Sequence, residues 1–470
     1  MTGERLEVRP EQRNQTDGAI VGLSAAKGSK SVRLQKTSEP FCTGHHMNRA
    51  LLPSHLLLLT VFMAFSAAAQ SSDAALEHAR KLLASTPLID GHNDLAWEIR
   101  DAKGAPRDVA AYNLRVRSPK QTDLPRMIEG KVGGQFWSIY IPGEIKDSGY
   151  ARVQLEQFDI ARRMIARYPD RLALALKADD IERDFKRGRI ASLLGMEGGH
   201  AIENSLGVLR SYYELGARYM TLTHNVTLDW ADAALDTARH DGLTEFGKEV
   251  VREMNRLGML VDLSHVSPAV MSDALNVGEA PVIFSHSAAR ALTDHPRNVP
   301  DSILARLPRN GGVIMVTFVP AFVSPAAAAW DTEYQRQWTR LKATVSDTTE
   351  RRRLSEEWKT AHPTPRATLG QVADHIEHAR KVAGVDHVGI GSDFDGIDAV
   401  PEGLEDVSKF PQLFAELIRR GWSDADLKKL AGENVLRALR DAESTAARLR
   451  KSRQPSNKTI EELDGARPRA

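Results

Sequence analysis

The sequence predicts an α/β fold of the (β/α)8, TIM-barrel type. Three observations carry that prediction. Short apolar or β-branched runs recur along the chain from Pro87, helical patterns separate most of them, and ionisable residues gather where the runs end. Strands alternating with helices form a parallel sheet with crossover connections, and closing that sheet brings every carboxyl end to one pocket. A doubly wound open sheet alternates in the same way. Its dinucleotide fingerprint is missing, because Gly389-Ile390-Gly391 lacks the third glycine and leads into Asp393 rather than into a helix.

The strand runs, in order, are Pro87–Leu95, Val132–Ile141, Ile190–Gly199, Tyr219–Asn225, Met259–Val266, Val282–Ser287, Gly312–Phe318 and Val388–Gly396. Between them the helical patterns include Ala74–Ala84, Arg152–Tyr168, Leu243–Leu257 and Leu369–Ala383, with apolar residues at three- and four-residue spacing. The third is the plainest: Phe246, Val250, Met254 and Leu257 share one face, and Gly258 is the stop signal. Residues 320–366 break the rhythm. They form a long charged excursion, helical in pattern around Tyr334–Lys342 and Arg351–Trp358, of the kind that serves as a lid or an interface.

Boundaries follow from composition. Residues 1–46 lack sustained apolar periodicity and read as a disordered extension or an over-extended start. From Met47 a positive start, an apolar run over Ala50–Phe65 and the Ala67-Ala68-Ala69 site make residues 47–69 a signal peptide, with cleavage expected after Ala69. Pro53 and His55 interrupt a run already short for a bilayer, which needs about 20 apolar residues, so a retained membrane anchor is not expected. The barrel then occupies 70–445 and a polar tail 446–470, and the mature chain is expected in the periplasm or secreted.

Charge mainly excludes. With 63 basic and 62 acidic residues the formal net charge is +1, which provides no broad field for nucleic acid. Cys42 is the sole cysteine, so no intramolecular disulfide or thiolate metal cluster can form, and any metal must use histidines and carboxylates.

Those residue types stand at the strand ends. The first run ends His92-Asn93-Asp94, placing a histidine and an aspartate two apart on one side of an extended segment. Glu197, His265 and His286 close three other runs. Together they form a set of nitrogen and oxygen donors that suits zinc first, with manganese, cobalt or iron as alternatives. Two such ions need a bridging anion, and Glu197 is the best-placed carboxylate. His375, Glu377 and His378 lie on a helical pattern without zinc-helix spacing and read as a solvated face.

These residues resemble those of the renal or membrane dipeptidase family of zinc peptidases, within the amidohydrolase-type barrels. The matching stretches run in order: Asp90–Leu95, Val132–Ser138, Glu197–His200, Leu222–Asn225, Asp262–His265, Phe284–His286, Arg297–Asp301 and Gly391–Gly396. The resemblance implies two zinc ions bridged by Glu197 and a hydroxide. One ion would be held by His92, Asp94 and Glu197, the other by Glu197, His265 and His286. It further implies substrate-facing roles for His224, Arg297 and Asp393, hydrolysis of free dipeptides, and tolerance of a D-residue at their C-terminal position. Chemistry agrees with each role: Arg297 can clamp a free carboxylate, His224 can donate to a developing oxyanion, and Asp393 can relay a proton.

The lipid anchor and the disulfide-linked dimer of better-known animal members are not carried over, because neither a tail signal nor the cysteines are present; a non-covalent homodimer stays open. A related dizinc hydrolase of another amide, lactam or ester is the runner-up, and a non-catalytic metal-binding protein the minor alternative.

Overall fold

The computed structural model describes residues 74–145 and 149–465, so the extension and signal-peptide expectations lie outside the described residues. Parallel strands occupy β1 (Leu88–Asn93), β2 (Val132–Tyr140), β3 (Leu172–Leu174), β4 (Ile190–Glu197), β5 (Ala217–Thr221), β6 (Leu260–Asp262), β7 (Val282–Ser287), β8 (Val313–Val316) and β9 (Val388–Ile390). Their order is β2-β1-β9-β8-β7-β6-β5-β4-β3, and a further β2–β4 pairing closes the ring. That closing seam runs in unbroken register from Gly134 opposite Ala191 to Tyr140 opposite Glu197. The eight runs read from sequence supply the eight barrel strands.

β3 is the addition. It pairs with the first half of β4, Leu172 opposite Ile190, while β5 takes the second half, Glu197 opposite Thr221. A three-residue strand has too little alternation to stand out in a sequence.

The helices show their local causes. Glu245–Leu257 begins at Thr244, whose hydroxyl accepts from the Gly247 amide, and ends at Gly258 with φ 83°. Phe246, Val250 and Met254 on its inner face are fully buried, each burial stabilising by about 1.5–3 kcal/mol. Leu369–Ala383 opens on a reciprocal Thr368–Gln371 capping box.

Two glycines set the shape of the barrel mouth. A side chain at Gly195 would stand 2.0 Å from the Tyr219 ring, and one at Gly391 would stand 1.8 Å from the Ser285 carbonyl oxygen. Only glycine lets Tyr219 lie across β4 and lets the chain after β9 press on β7.

The excursion is more helical than its pattern indicated. It comprises Pro320–Val323, Pro325–Thr344 and Thr348–Ala361, the last two capped by Ser324 accepting from Ala327 and Asp347 accepting from Glu350. At the other end the Asn434–Leu449 helix runs past residue 445, and the segment after it is tied down: Asp464 accepts from the Phe246 amide at 3.2 Å. Among the described residues no helix is long and apolar enough to cross a membrane.

Candidate metal centre

Four strand ends, those of β1, β4, β6 and β7, deliver the five predicted ligands to one place. Glu197 ends β4 with its carboxylate at the centre. Its Oε2 accepts from the Ser138 hydroxyl at 3.0 Å and lies 3.3 Å from His92 Nε2, which is itself 3.3 Å from Asp94 Oδ2. Its Oε1 lies 3.0 Å from His265 Nε2 and 3.6 Å from His286 Nε2. Each carboxylate oxygen therefore faces one group of donors, as a bridging ligand requires. All five side chains are buried.

The outer ring nitrogens show which form the histidines take. Ser285 Oγ donates to Asp262 Oδ2 at 2.6 Å, since a carboxylate only accepts, so it receives the Nδ1–H of His286 at 2.9 Å. His265 Nδ1 donates to Asn225 Oδ1 at 3.0 Å. His92 Nδ1 lies 2.9 Å from the Tyr219 hydroxyl, whose own proton goes to the Gly91 carbonyl at 3.3 Å. Every Nδ1 proton points outward, which leaves three Nε2 lone pairs pointing inward.

That arrangement fits a metal. His265 Nε2 and His286 Nε2 stand 2.9 Å apart with no proton to share, and the buried His92 Nε2 and Asp94 Oδ1 have no hydrogen-bond partner. Converging lone pairs repel unless a cation lies among them, and tetrahedral zinc at about 2.0–2.1 Å from its donors spaces them about 3.3 Å apart. The observed separations scatter around that value. His92–Glu197–His286, Glu197–His224–His265 and His92–Asp94–Asp393 each bring ligand atoms within 4.8 Å of one another.

Electrostatics point the same way. Burial pushes Glu197 upward and pushes His265 and His286 well below their usual range, with Arg297 pushing these histidines further down. Burial would lower His92 too, yet Tyr219, Glu197 and Asp94 outweigh it and raise His92 well above its usual value. The field that would hold a proton on His92 Nε2 is one that holds a metal cation.

The three residues expected to face substrate line the same cavity of about 450 Å³. His224 Nε2 is 3.8 Å from Glu197 Oε1, and Asp393 Oδ1 is 4.0 Å from His92 Nε2. Arg297 is buried with its guanidinium over the Phe322 ring; Nη2 stands 2.8 Å from His286 Nε2, a contact that would yield to a metal on that nitrogen, while Nη1 has no partner. Burial draws Arg297 down to about 10 and raises Asp393 well above the carboxylate range. His265, Asp393 and Asp395 hold left-handed backbone at φ 70°, 66° and 65°, conformations that cost a non-glycine residue about 1–3 kcal/mol and cluster at functional sites.

Sequence reasoning gave no role to Tyr219, Asn225 or the Asp262–Ser285 pair, although Asn225 and Asp262 lie in stretches it singled out. It also misjudged His375. Far from lying on a solvated face, His375 is 1% exposed; it accepts from the Ala289 amide at 3.1 Å and so supports the loop that carries Arg297. Its neighbours do lie at the surface in ion pairs, His378 with Asp301 and Glu377 with Arg420.

Known proteins are similar to this chain in sequence and fold. The sequence profile of the membrane dipeptidase family, peptidase family M19, matches residues 76–453. The chain is 41% identical to dipeptidase verJ of Clonostachys rogersoniana over 391 residues, 81% of this chain and 90% of that protein. It is 42% identical to an uncharacterized dipeptidase, C3A11.10c, of Schizosaccharomyces pombe over 377 residues, 77% of this chain and 82% of that one. Among solved structures, the probable dipeptidase PvdM from Pseudomonas aeruginosa superposes with a TM-score of 0.69 at 26% identity, over 80% of this chain and all of that one. A metallo peptidase from Rhodobacter sphaeroides, liganded with a phosphinate mimic of L-Ala-D-Ala, gives 0.62 at 25% identity, over 76% of this chain and 99% of that one.

Proposed function

This chain belongs to the membrane dipeptidase family, peptidase family M19, and from that premise we propose that it is a dizinc enzyme hydrolysing free dipeptides, including those with a C-terminal D-residue. Membership makes it a metal-dependent hydrolase of dipeptides; the zinc, the count of two and the role of each residue are our reading. The observation that carries it is Arg297, a buried guanidinium with a free Nη1 in the cavity that holds the Glu197-centred donors.

His92, Asp94 and Glu197 would hold one ion, and Glu197, His265 and His286 the other. When bound, zinc supplies Lewis acidity toward the scissile carbonyl and lowers the pKa of water to about 7. Arg297 takes the free C-terminal carboxylate, its unpartnered Nη1 turned to the substrate, and so fixes a single residue on the C-terminal side of the scissile bond. His224 donates to the carbonyl oxygen as negative charge grows there. Asp393 receives a proton and passes it to the leaving amine. Acceptance of a D-residue draws support from the L-Ala-D-Ala mimic held by the Rhodobacter relative.

The test is amine release by the full chain from L,L- and L,D-dipeptides, N-acylated dipeptides, C-terminally amidated dipeptides and tripeptides, after chelation and again after zinc is restored. Zinc-dependent cleavage confined to free dipeptides is expected. Cleavage of the N-acylated or longer substrates would overturn the restriction to free dipeptides, and undiminished cleavage of C-terminally amidated dipeptides would overturn the carboxylate clamp. The Met47–Ala69 pattern supports export, and N-terminal sequencing of protein recovered from outside the cytoplasm is expected to begin at Gln70.

A further inference from the structure

The Pro325–Thr344 and Thr348–Ala361 helices fold back on each other as an antiparallel hairpin. Trp330 Nε1 donates to the His362 carbonyl at 2.6 Å, and the Tyr334 hydroxyl meets Ser355 Oγ at 3.0 Å. Trp330 and Tyr334 stack on one side with ring centroids 5.4 Å apart and planes 10° from parallel. This aromatic face is half-buried, and with Pro320, Ala327 and Thr364 it walls an open cavity of about 300 Å³, the low end of ligand cavities.

Val319, Ile397 and Asp398 wall both this annex and the catalytic cavity, so the two adjoin. Val319, shared by both, stands three residues before Phe322, which lines the catalytic cavity with Arg297. The guanidinium of Arg297 lies 5.2 Å over the Phe322 ring, and the Phe322 carbonyl accepts from Asn298 at 2.8 Å, which binds the hairpin base to the Arg297 loop. A dipeptide whose carboxylate is on Arg297 therefore has its C-terminal residue nearest the annex.

The charged groups around the annex already have partners. Asp398 pairs with Lys120 at 2.9 Å, Lys359 with Glu356 at 3.0 Å, and Asp331 faces His295 at 3.7 Å. Lys359 also lies over the Tyr334 ring at 5.2 Å, and the surface left for an occupant is mainly aliphatic and aromatic, with the Trp330 ring its largest apolar part.

We propose that this annex is the pocket for the C-terminal side chain of the dipeptide and that its Trp330–Tyr334 face selects large apolar or aromatic side chains there. The inference rests on the dipeptidase reading and on the Arg297 clamp, and adds to them the class of substrate.

The test uses the zinc-loaded full chain and two variants. Trp330→Ala removes the aromatic wall; Thr364→Trp, at an exposed lining position, narrows the annex without disturbing buried packing. The readout is kcat/KM for L-Ala-L-Phe divided by that for L-Ala-Gly. Both variants are expected to lower this ratio about tenfold, the scale of discrimination by a hydrophobic pocket. Should Trp330→Ala lose its fold by circular dichroism, Thr364→Trp alone decides. Unchanged ratios, or a change confined to L-Phe-L-Ala relative to Gly-L-Ala, would overturn the annex while leaving the dipeptidase standing. Failure of the parent to cleave any of the four would remove the dipeptidase reading and this inference with it.

Discussion

The barrel mouth and the helical hairpin beside it are built to opposite rules. At the mouth, the five donor side chains are buried and each of their three histidines is fixed by a second group: Tyr219 for His92, Asn225 for His265, Ser285 and Asp262 for His286. On the hairpin Ser355 is the only buried residue of the second helix, and the charges pair among themselves along the surface, as Arg353 does with Glu350 and Lys359 with Glu356. Exposed pairs of this kind contribute little. The difference teaches where substitutions will register: chemistry at the mouth, substrate choice at the hairpin.

The largest effect that would sharpen this division is at Asp393, which lines the cavity and faces His92. Asp393→Asn keeps the shape and removes the carboxylate proposed to carry the proton, so kcat is expected to fall about 10²–10⁴-fold with metal content unchanged. Metal analysis beside steady-state kinetics checks it, and near-parental turnover would strip Asp393 of its role. A smaller loss is expected one layer out. Tyr219→Phe removes the acceptor for His92 Nδ1–H yet keeps the ring against Gly195, and groups that orient metal-binding histidines are worth about 10–100-fold in metal affinity or activity. Competition with a chelator reads the affinity directly. If Tyr219→Phe bound metal as the parent does, the outward Nδ1 bonds would not matter and the contrast between mouth and hairpin would blur.

Legibility followed the same division. His92, Asp94, Glu197, His265 and His286 stood out because a barrel sends every strand end to one mouth, and ionisable residues there need a partner to be tolerated. Tyr219 did not, since an aromatic on a buried strand reads as core. The Asp262–Ser285 pair was hidden because its meaning lies in the register of β6 against β7. His375 was legible and was misread: Val372, Ile376 and Ala379 share its face at helical spacing, and all are buried. On the hairpin, Ser324 before Pro325 and Asp347 before Glu350 are start signals that would have lengthened both helices. No pattern in the chain could place Trp330 beside the catalytic cavity, because that depends on how the hairpin folds back on Val319 and Ile397.

His375 sits at the seam between the two regions and gives the smallest effect. It accepts from the Ala289 amide on the mouth side, and it is hydrogen-bonded to the Val323 backbone at the hairpin base. Burial lowers its pKa to about 4 from the ordinary 6.5. Because the unfolded chain binds the extra proton first, the neutral ring stabilises the fold above pH 6.5, and that contribution is lost as pH falls from 6.5 toward 4. The slope for one such group is at most about 1.4 kcal/mol per pH unit. His200, drawn to about 4 by burial, adds a parallel contribution. Urea unfolding of His375→Asn across this window is expected to show a shallower loss of stability toward acid than the parent, from a lower starting value. An identical pH dependence would mean that His375 is already protonated in the fold, and that the Ala289 amide cannot be donating to it.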